Sequence, residues 1–434
     1  MNQDTHNQAF ASREELQTLQ QLKLQKMLAE IYGKNKFYTD KFDSAGFDPA
    51  SFKSMADLSR IPFTQKNELL ADQENDGFAA NMTYPFSEYT RFHQTSGTTG
   101  EPLHVLDTVD SWDWWGLCWR QVFIAAGLNC NDRVFCAFSF GPFIGFWAAV
   151  EGARQLGCLL VPGGGRSSID RLRLMKDTQC TAVCCTPSYA LHLLEVAKEN
   201  NFDIADLKIK SLVLAGEPGA NIPTIKKRIN EGWSAQCFDH AGASEVGAFG
   251  FEALSRPNGL SVNESEFIVE VLDKITHQHV ADGEEGELVI TNLGRWGFPI
   301  IRYRIGDVVK YSKPADDSNE FMYLEGGIIG RADDMITVRG VNIYPSAIDN
   351  LLREIEEIEE YRATVEMKGE MSELTLEIEV SEQANAEIVR SVLLESISNK
   401  LGLRPVIELL EHNALPRFEL KGRRFHVNVE SEQA

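Results

Sequence analysis

The chain has 434 residues, 43% hydrophobic and 24% charged, which suits a globular protein of two or three domains with substantial buried cores. Its formal net charge of −22 excludes the basic footprint that nonspecific nucleic-acid binding or attachment to anionic lipid requires. No apolar run approaches the roughly 20 residues of a membrane helix, residues 1–17 lack the pattern of a secretory signal, and eight scattered cysteines without CxxC pairs read as reduced thiols in the cytoplasm.

Leu16, Leu19, Leu22, Leu24, Met27, Leu28 and Ile31 recur at helical spacing and predict one amphipathic helix over 13–32 that covers part of a larger core. Next comes Thr95-Ser96-Gly97-Thr98-Thr99-Gly100-Glu101-Pro102. Glycines without a Cβ let the backbone approach a ligand, while hydroxyls and exposed N–H groups supply donors to phosphate oxygens. Alone, the run also fits a polar surface turn. Strand-like runs then precede helical patterns, 133–140 before 146–156, 158–162 before 167–177, 181–186 before 188–200 and 212–215 before 222–232. This alternation predicts an α/β domain with a largely parallel sheet and ligands at the carboxyl ends of its strands. Short β-like runs at 267–272, 286–291 and 308–311 predict a small antiparallel subdomain. A strand at 335–339, an acidic helix around 346–360, strands around 361–380 and a helix near 384–401 predict a further small α/β domain. The run from Glu354 to Glu360 reads as a solvated helix face.

Five segments keep company with the glycine loop. Leu214-Ala215-Gly216-Glu217-Pro218-Gly219 and Asp239-His240-Ala241-Gly242-Ala243-Ser244-Glu245 each follow a predicted buried strand, and Arg302-Tyr303-Arg304-Ile305-Gly306-Asp307 ends the antiparallel region. Then come the run from Gly330-Arg331 through Asp333 to Arg339-Gly340 and, near the C-terminus, Leu415-Pro416-Arg417 with Lys421-Gly422. At these residues the chain resembles the adenylate-forming superfamily of acyl-CoA synthetases and, more closely, the phenylacetate–CoA ligase family. The resemblance covers almost the whole chain, including Phe37-Tyr38, Ile61-Pro62-Phe63-Thr64 and Val341-Asn342-Ile343-Tyr344-Pro345.

The resemblance implies an α/β fold with a large N-terminal adenylation domain, 1–332, of mostly parallel sheets plus an antiparallel β subdomain at about 260–332. A small mobile C-terminal α/β domain, 333–434, follows a hinge at Asp333. It also implies two half-reactions: a carboxylate attacks the α-phosphate of ATP to give an acyl-adenylate and pyrophosphate, and the CoA thiol then displaces AMP. Under this reading Thr95, Ser96, Gly97, Thr98, Thr99 and Gly100 hold the β- and γ-phosphates by positioning and electrostatics. Glu245 binds Mg²⁺, and Ser244 donates to the α-phosphate. Asp307 accepts from the ribose hydroxyls with Arg331 beside it, and Gly216, Glu217, Pro218 and Asp239 frame the adenine. Lys421 reaches in from the small domain as a compact charge that follows the reacting carboxylate and phosphate. Arg339 and Gly340 border the CoA channel once the domain has rotated. The aromatic segment 138–147 supplies an acid wall, with Phe140, Phe143 and Ile144 against Ala241 and Gly242, and favours a flat aromatic or arylacetic acid. Pro162-Gly163-Gly164-Gly165-Arg166 reads as a tight turn, with an anion cradle as the alternative.

The chain departs from the family's pattern at Ala241, where an aromatic partner for adenine is usual, and at Leu103, where a lysine is usual. Phe418-Glu419-Leu420 also replaces the small residues usual before Lys421. Residues 250–331 contain no cysteine, and His277 with His279 does not make a tetrahedral set, so no structural zinc is expected. The expected partners are a small carboxylic acid, ATP and CoA, with no nucleic acid and no membrane. The oligomeric state is open, a homodimer being common among such proteins. Two other functions fit less well: adenylation with a carrier-protein thiol, an amine or a cofactor as acceptor, and a non-catalytic nucleotide-binding protein. The joint presence of Glu245, Asp307, Arg331 and Lys421 argues against the last.

Overall fold

The computed structural model describes residues 12–95, 101–313, 321–331, 336–338, 341–343, 345–368, 371–381, 383–416 and 424–428. Helix α1 (Arg13–Ile31) starts at Ser12, whose side chain accepts from the Glu15 amide and satisfies one orphan donor of the first turn. Its Leu24, Met27, Leu28 and Ile31 pack with Tyr38, Phe42 and Ile61 against Ile268, Leu293 and Ile301. This is the covering helix the spacing predicted, and each such side chain contributes about 1.5–3 kcal/mol on burial. Helices α2 (Lys36–Ala45) and α3 (Lys66–Asp76) follow, then the antiparallel hairpin of β1 (Tyr89–Gln94) and β2 (His104–Thr108), which flanks the glycine loop. Helix α4 (Val109–Ala125) buries Trp112, Trp114, Trp115 and Trp119. Among the described residues, no helix is long and apolar enough to cross a membrane.

The α/β alternation is realised by β3 (Arg133–Cys136), α5 (Ile144–Leu156), β4 (Leu159–Pro162), α6 (Ser168–Asp177), β5 (Ala182–Cys185), α7 (Pro187–Glu199), β6 (Ser211–Leu214), α8 (Pro223–Trp233) and β7 (Gln236–Ala243). β4, β3, β5, β6 and β7 pair in parallel in that order. All four residues of β5 and of β6 are buried, the pattern of strands covered on both faces. The strand expected over 133–140 stops at Cys136, leaving 137–143 as irregular chain at the carboxyl end of the sheet.

The sheet does not end at β7. β8 (Gly247–Ala253) pairs antiparallel with it, and β9 (Arg256–Val262), β10 (Phe267–Leu272), β11 (Glu285–Asn292), β12 (Tyr303–Ser312) and β13 (Tyr323–Arg331) complete an eleven-stranded mixed sheet. Its order is β10-β11-β12-β13-β9-β8-β7-β6-β5-β3-β4. The antiparallel strands therefore begin at Gly247 and continue the parallel half directly. The turn carrying Ser244 and Glu245 sits at that change of direction, between the last parallel strand and the first antiparallel one.

The C-terminal part comprises β14 (Ile336–Val338), β15 (Val341–Ile343), α9 (Pro345–Arg353), β16 (Ile358–Lys368), β17 (Met371–Val380), α10 (Ala386–Leu401), β18 (Val406–Leu410) and β19 (Phe425–Asn428). Its four-stranded sheet runs β18-β17-β16-β19, and Ile348, Leu352, Val365, Leu376, Leu393 and Ile397 form its core. One expectation is corrected here. The acidic helix around 346–360 ends at Arg353; Glu354 to Glu357 is a turn and Ile358 to Glu360 opens β16, so the run is not a solvated helix face. Glu360 is buried and accepts a bidentate pair of hydrogen bonds from Arg424. Strand alternation, invisible in a run of like charges, turns it inward opposite its cation.

Candidate active site

Three distant segments build one cleft. The first is the Ser244–Glu245 turn. Val246 N donates to Ala243 O at 3.1 Å, closing the turn, and Gly247 follows at φ +127°. A Cβ at Gly247 would come within 2.8 Å of Trp114 and 2.9 Å of Phe267, so the chain can turn here only without one. Arg295 donates to Ser244 O at 2.8 Å and to Glu245 O at 3.0 Å while its guanidinium pairs with Asp107 on β2. The Glu245 side chain is buried, with Tyr303 OH 3.4 Å and Lys66 Nζ 3.3 Å from its Oε1. Burial and then the Glu245 charge hold the Tyr303 phenol well above its usual range, so it stays a donor.

The second segment is the paired end of β12 and β13, where Asp307 stands opposite Arg331. Arg331 Nη1 lies 3.4 Å from Asp307 Oδ1 and donates to Ile305 O at 3.2 Å. An aspartate beside a guanidinium that lines a cleft suits two adjacent sugar hydroxyls.

The third segment is Ile61–Thr64. Thr64 N donates to Arg302 O and Arg304 N to Thr64 O, both at 2.9 Å, so Thr64 bridges Tyr303 like an added strand residue. Thr64 Oγ1 donates to Ile301 O at 2.8 Å, and Ile301 N donates to Tyr38 OH at 2.8 Å. Arg302 adopts a left-handed φ of +46°, unfavourable for a side chain of its size. Bidentate bonds to Glu270 at 2.9 and 2.8 Å, and donation to Ser59 O and Ile61 O, offset that cost. The cleft between these segments has a volume of about 460 Å³ and is lined by Lys66, Glu245, Lys274, Glu287, Tyr303, Arg304, Gly306 and Arg331, among others.

Thr95 closes the base of the glycine loop. Its N–H donates to Leu103 O, and its hydroxyl accepts from Leu103 N, each at 3.0 Å, so its visible task is to pin the loop's two ends. Ser96, Gly97, Thr98, Thr99 and Gly100 lie outside the described residues, as do Asp333, Arg339, Gly340 and Lys421.

Beyond β6, Gly216 takes a positive φ of +94°, and the Glu217 carboxylate accepts from Ser188 N at 2.8 Å, in the first turn of α7. Pro218 completes this loop. Asp239 ends the parallel run of β7, where Asn221 donates to its carboxyl group. Burial, and secondarily the Glu252 carboxylate, push that carboxyl up to about 7.

On the side expected to take the acid, Phe138 stacks on Phe146 at 4.1 Å and Phe140 leans on Trp147 at 4.4 Å. Phe140, Phe143 and Trp147 are exposed, whereas Ile144 is 2% exposed and packs in the core behind them. Gly242 is exposed and Ala241 buried. His240 Nδ1 bonds Gly250 O at 2.8 Å, its ring lies 4.2 Å from that of Trp119, and its Nε2 sits 3.2 Å from where a Cβ on Gly242 would be. Burial lowers His240 to about 4, so the ring is neutral and Nε2 is an acceptor. Arg171 donates to Gly163 O at 2.9 Å, and a Cβ at Gly163 would strike Phe135, which marks 162–166 as a tight structural turn. Lys66, His240 and the Arg295–Asp107 pair were missed in the sequence. Two of them had a signal: Lys66 stands two residues after the quoted Ile61–Thr64 motif, and His240 lies inside the quoted Asp239–Glu245 segment without having been given a role.

Residues 340–427 match the family described as the AMP-binding enzyme C-terminal domain. Over 388 residues the chain is 32% identical to a phenylacetate-coenzyme A ligase of Thermus thermophilus, covering 89% of this chain and 86% of that protein. It superposes on the crystal structure of a 2-hydroxyisobutyryl-CoA ligase in the postadenylation state, in complex with R3-HIB-AMP, with a TM-score of 0.89 at 28% identity, covering 98% and 93% of the two chains. For that ligase in complex with 2-HIB-AMP and CoA in the thioesterification state, the TM-score is 0.73 at 29% identity, covering 99% and 94%.

Proposed function

The chain belongs to the phenylacetate–CoA ligase family of AMP-forming acyl-CoA synthetases, and we propose that it activates an aromatic or arylacetic carboxylic acid at the cleft between Glu245 and Arg331. The observation that carries this reading is the convergence of Lys66, Glu245, Tyr303 and Arg331 on one cleft from separate parts of the chain. Asp307 accepts from the ribose hydroxyls while Arg331 orients it. Gly216, Glu217, Pro218 and Asp239 frame the adenine. Thr95 to Gly100 hold the leaving pyrophosphate, and Ser244 donates to the α-phosphate from a turn that Arg295 keeps in place.

Glu245 is a carboxylate with few and long contacts beside the cleft, and this donor chemistry fits Mg²⁺, a hard cation. When bound, the ion supplies positive charge against the phosphates. Lys421 arrives from the C-terminal domain, 333–434, for the adenylation step. Rotation of that domain against 1–332 at Asp333 then brings Arg339 and Gly340 to the CoA side. The higher TM-score to the postadenylation state supports reading the present arrangement as the adenylation-stage one. Phe140, Phe143 and Trp147 form the exposed aromatic wall against which the acid lies, with Ile144 behind it and Ala241 and Gly242 opposite. Free cysteines and the −22 net charge support a cytoplasmic enzyme without nucleic-acid or membrane partners, and a homodimer is the assembly to test.

The His240 acceptor beside Gly242 favours a second reading of the acid, one bearing a hydroxyl or amino donor. The test is to incubate the protein with ATP, Mg²⁺ and matched acids, phenylacetate, hydroxyphenylacetates, benzoate and 2-hydroxyisobutyrate, and to measure pyrophosphate release and acyl-CoA by mass. Acyl-CoA from an aryl acid supports the first reading. Turnover confined to hydroxy acids replaces it with the second.

A further inference from the structure

Glu360 and Glu379 stand opposite each other on β16 and β17, and both are buried. Like charges at facing positions of a strand pair repel, yet each carboxylate here holds one end of the same stretch of chain, between Leu415 and Arg424. We infer that Arg424 and Glu360 are positioning residues for the adenylation step: together they fix the chain three residues after Lys421 and so set where its ammonium can reach. This rests on the reading of Lys421 given above.

At the leading end, the Glu379 carboxylate accepts from the Leu415 amide and, at 3.2 Å, from the Asn413 amide. Asn413 takes a left-handed φ of +63°, which its short polar side chain tolerates, so the chain after β18 turns back to β17. At the trailing end, Arg424 donates to Glu360 from Nε at 2.5 Å and from Nη2 at 2.9 Å, while its carbonyl accepts from Ala363 N at 2.8 Å. Side chain and backbone of Arg424 are thus both tied to β16. Three residues of extended chain span at most about 10–11 Å, so the fixed Arg424 limits where a residue three positions earlier can stand. Leu415 is six residues from Lys421 and limits it less.

This anchor also faces the large domain. The Arg424 guanidinium lies 6.0 Å from the Tyr361 ring, Tyr361 OH donates to Asp349, and Asp349 pairs with Arg353 at 2.8 Å. The Arg353 carbonyl in turn accepts from Thr224 Oγ1 at 3.0 Å, at the start of α8. Burial works against the Arg424 charge, but the Glu360 bonds and then the Asp349 and Glu217 carboxylates hold it above its usual value. Glu217 belongs to the loop beyond β6, so the anchor stands on the side of the small domain turned toward that loop.

The test is rapid-quench measurement of both half-reactions for the full-length parent, Arg424→Lys, Glu360→Gln, Lys421→Ala and the double variant Arg424→Lys with Lys421→Ala. Assays run below the lowest melting temperature of the set. Arg424→Lys keeps the charge but loses the fork, and Glu360→Gln keeps the shape but loses the charge. Each is expected to slow acid-dependent pyrophosphate release about tenfold, with KM for ATP and the rate of thioester formation from a supplied acyl-adenylate both within about twofold. In the Lys421→Ala background, Arg424→Lys should add no further loss, because a residue that acts through Lys421 has nothing left to position. Equal slowing of both half-reactions, an additive loss in the double variant, or a parent-like adenylation rate in either single variant overturns the positioning role. If Lys421→Ala alone is slow in adenylation, the reading of Lys421 survives that result. A parent-like Lys421→Ala overturns both.

Discussion

Arg295 and Asp107 form a bidentate ion pair at 2.6 and 2.7 Å from which solvent is wholly excluded. Asp107 lies on the strand leaving the glycine loop, and the same guanidinium holds the carbonyls of Ser244 and Glu245. One side chain therefore couples the placement of the glycine loop to that of the turn bearing Glu245, the carboxylate proposed to hold the metal.

Breaking this pair strands a buried charge. Arg295→Ala is expected to cost about 3–5 kcal/mol of folding stability, measured as a lower urea midpoint. Arg295→Lys keeps the charge but not the fork, so its adenylation rate should fall by more than its stability loss explains. Full activity in Arg295→Lys would show that the turn is held by other contacts.

Asp239 makes stability fall with rising pH. Its folded carboxyl titrates near 7, against about 4 in an unfolded chain. The folded state therefore keeps a proton that the unfolded state has lost in this interval. The contribution is complete below pH 4 and disappears as pH rises through 7. Asp239→Asn should match the parent at pH 4 and exceed it at pH 8 by about 2–4 kcal/mol. Urea unfolding at the two pH values reads this directly, and an equal difference at both would remove Asp239 as the source.

Phe140 stands exposed against Trp147 in the proposed acid wall. Phe140→Ala is expected to raise KM for an aryl acid about tenfold, the loss of one or two ring contacts, and to leave KM for ATP unchanged. A parallel rise in both constants would place the ring in the nucleotide site or in the scaffold instead.

The residues legible in the sequence were those whose chemistry needs backbone geometry. Gly216 at positive φ and the Asp239–Glu245 strand and turn each leave a local mark. The order of such segments carried the family resemblance. What stayed hidden depends on long-range pairing. Asp107 and Arg295 are 188 residues apart, and nothing near either one announces the other. The Glu354–Glu360 run misled for the same reason, since Glu360 is satisfied by Arg424 from the end of the chain. The antiparallel boundary was read late because Gly247–Ala253 is buried throughout all but its last position and lacks the alternation of a half-exposed strand.

Lys421→Ala separates the two half-reactions. It should slow acid-dependent pyrophosphate release by at least about a hundredfold, a typical cost of losing one charge stabiliser in the transition state. Thioester formation from a supplied acyl-adenylate should be largely retained. Equal loss in both steps, measured by rapid quench, would assign Lys421 to general structure.

If the acid's carboxylate attacks the α-phosphate of ATP, as proposed for the Glu245 cleft, one of its oxygens must pass to the nucleotide. The decisive measurement uses an aryl acid labelled with ¹⁸O in its carboxylate, with ATP, Mg²⁺ and CoA, and analyses the nucleotide product by mass. AMP is expected to gain one ¹⁸O per acyl-CoA formed. Label appearing in inorganic phosphate, with ADP as the nucleotide product, would contradict attack at the α-phosphate.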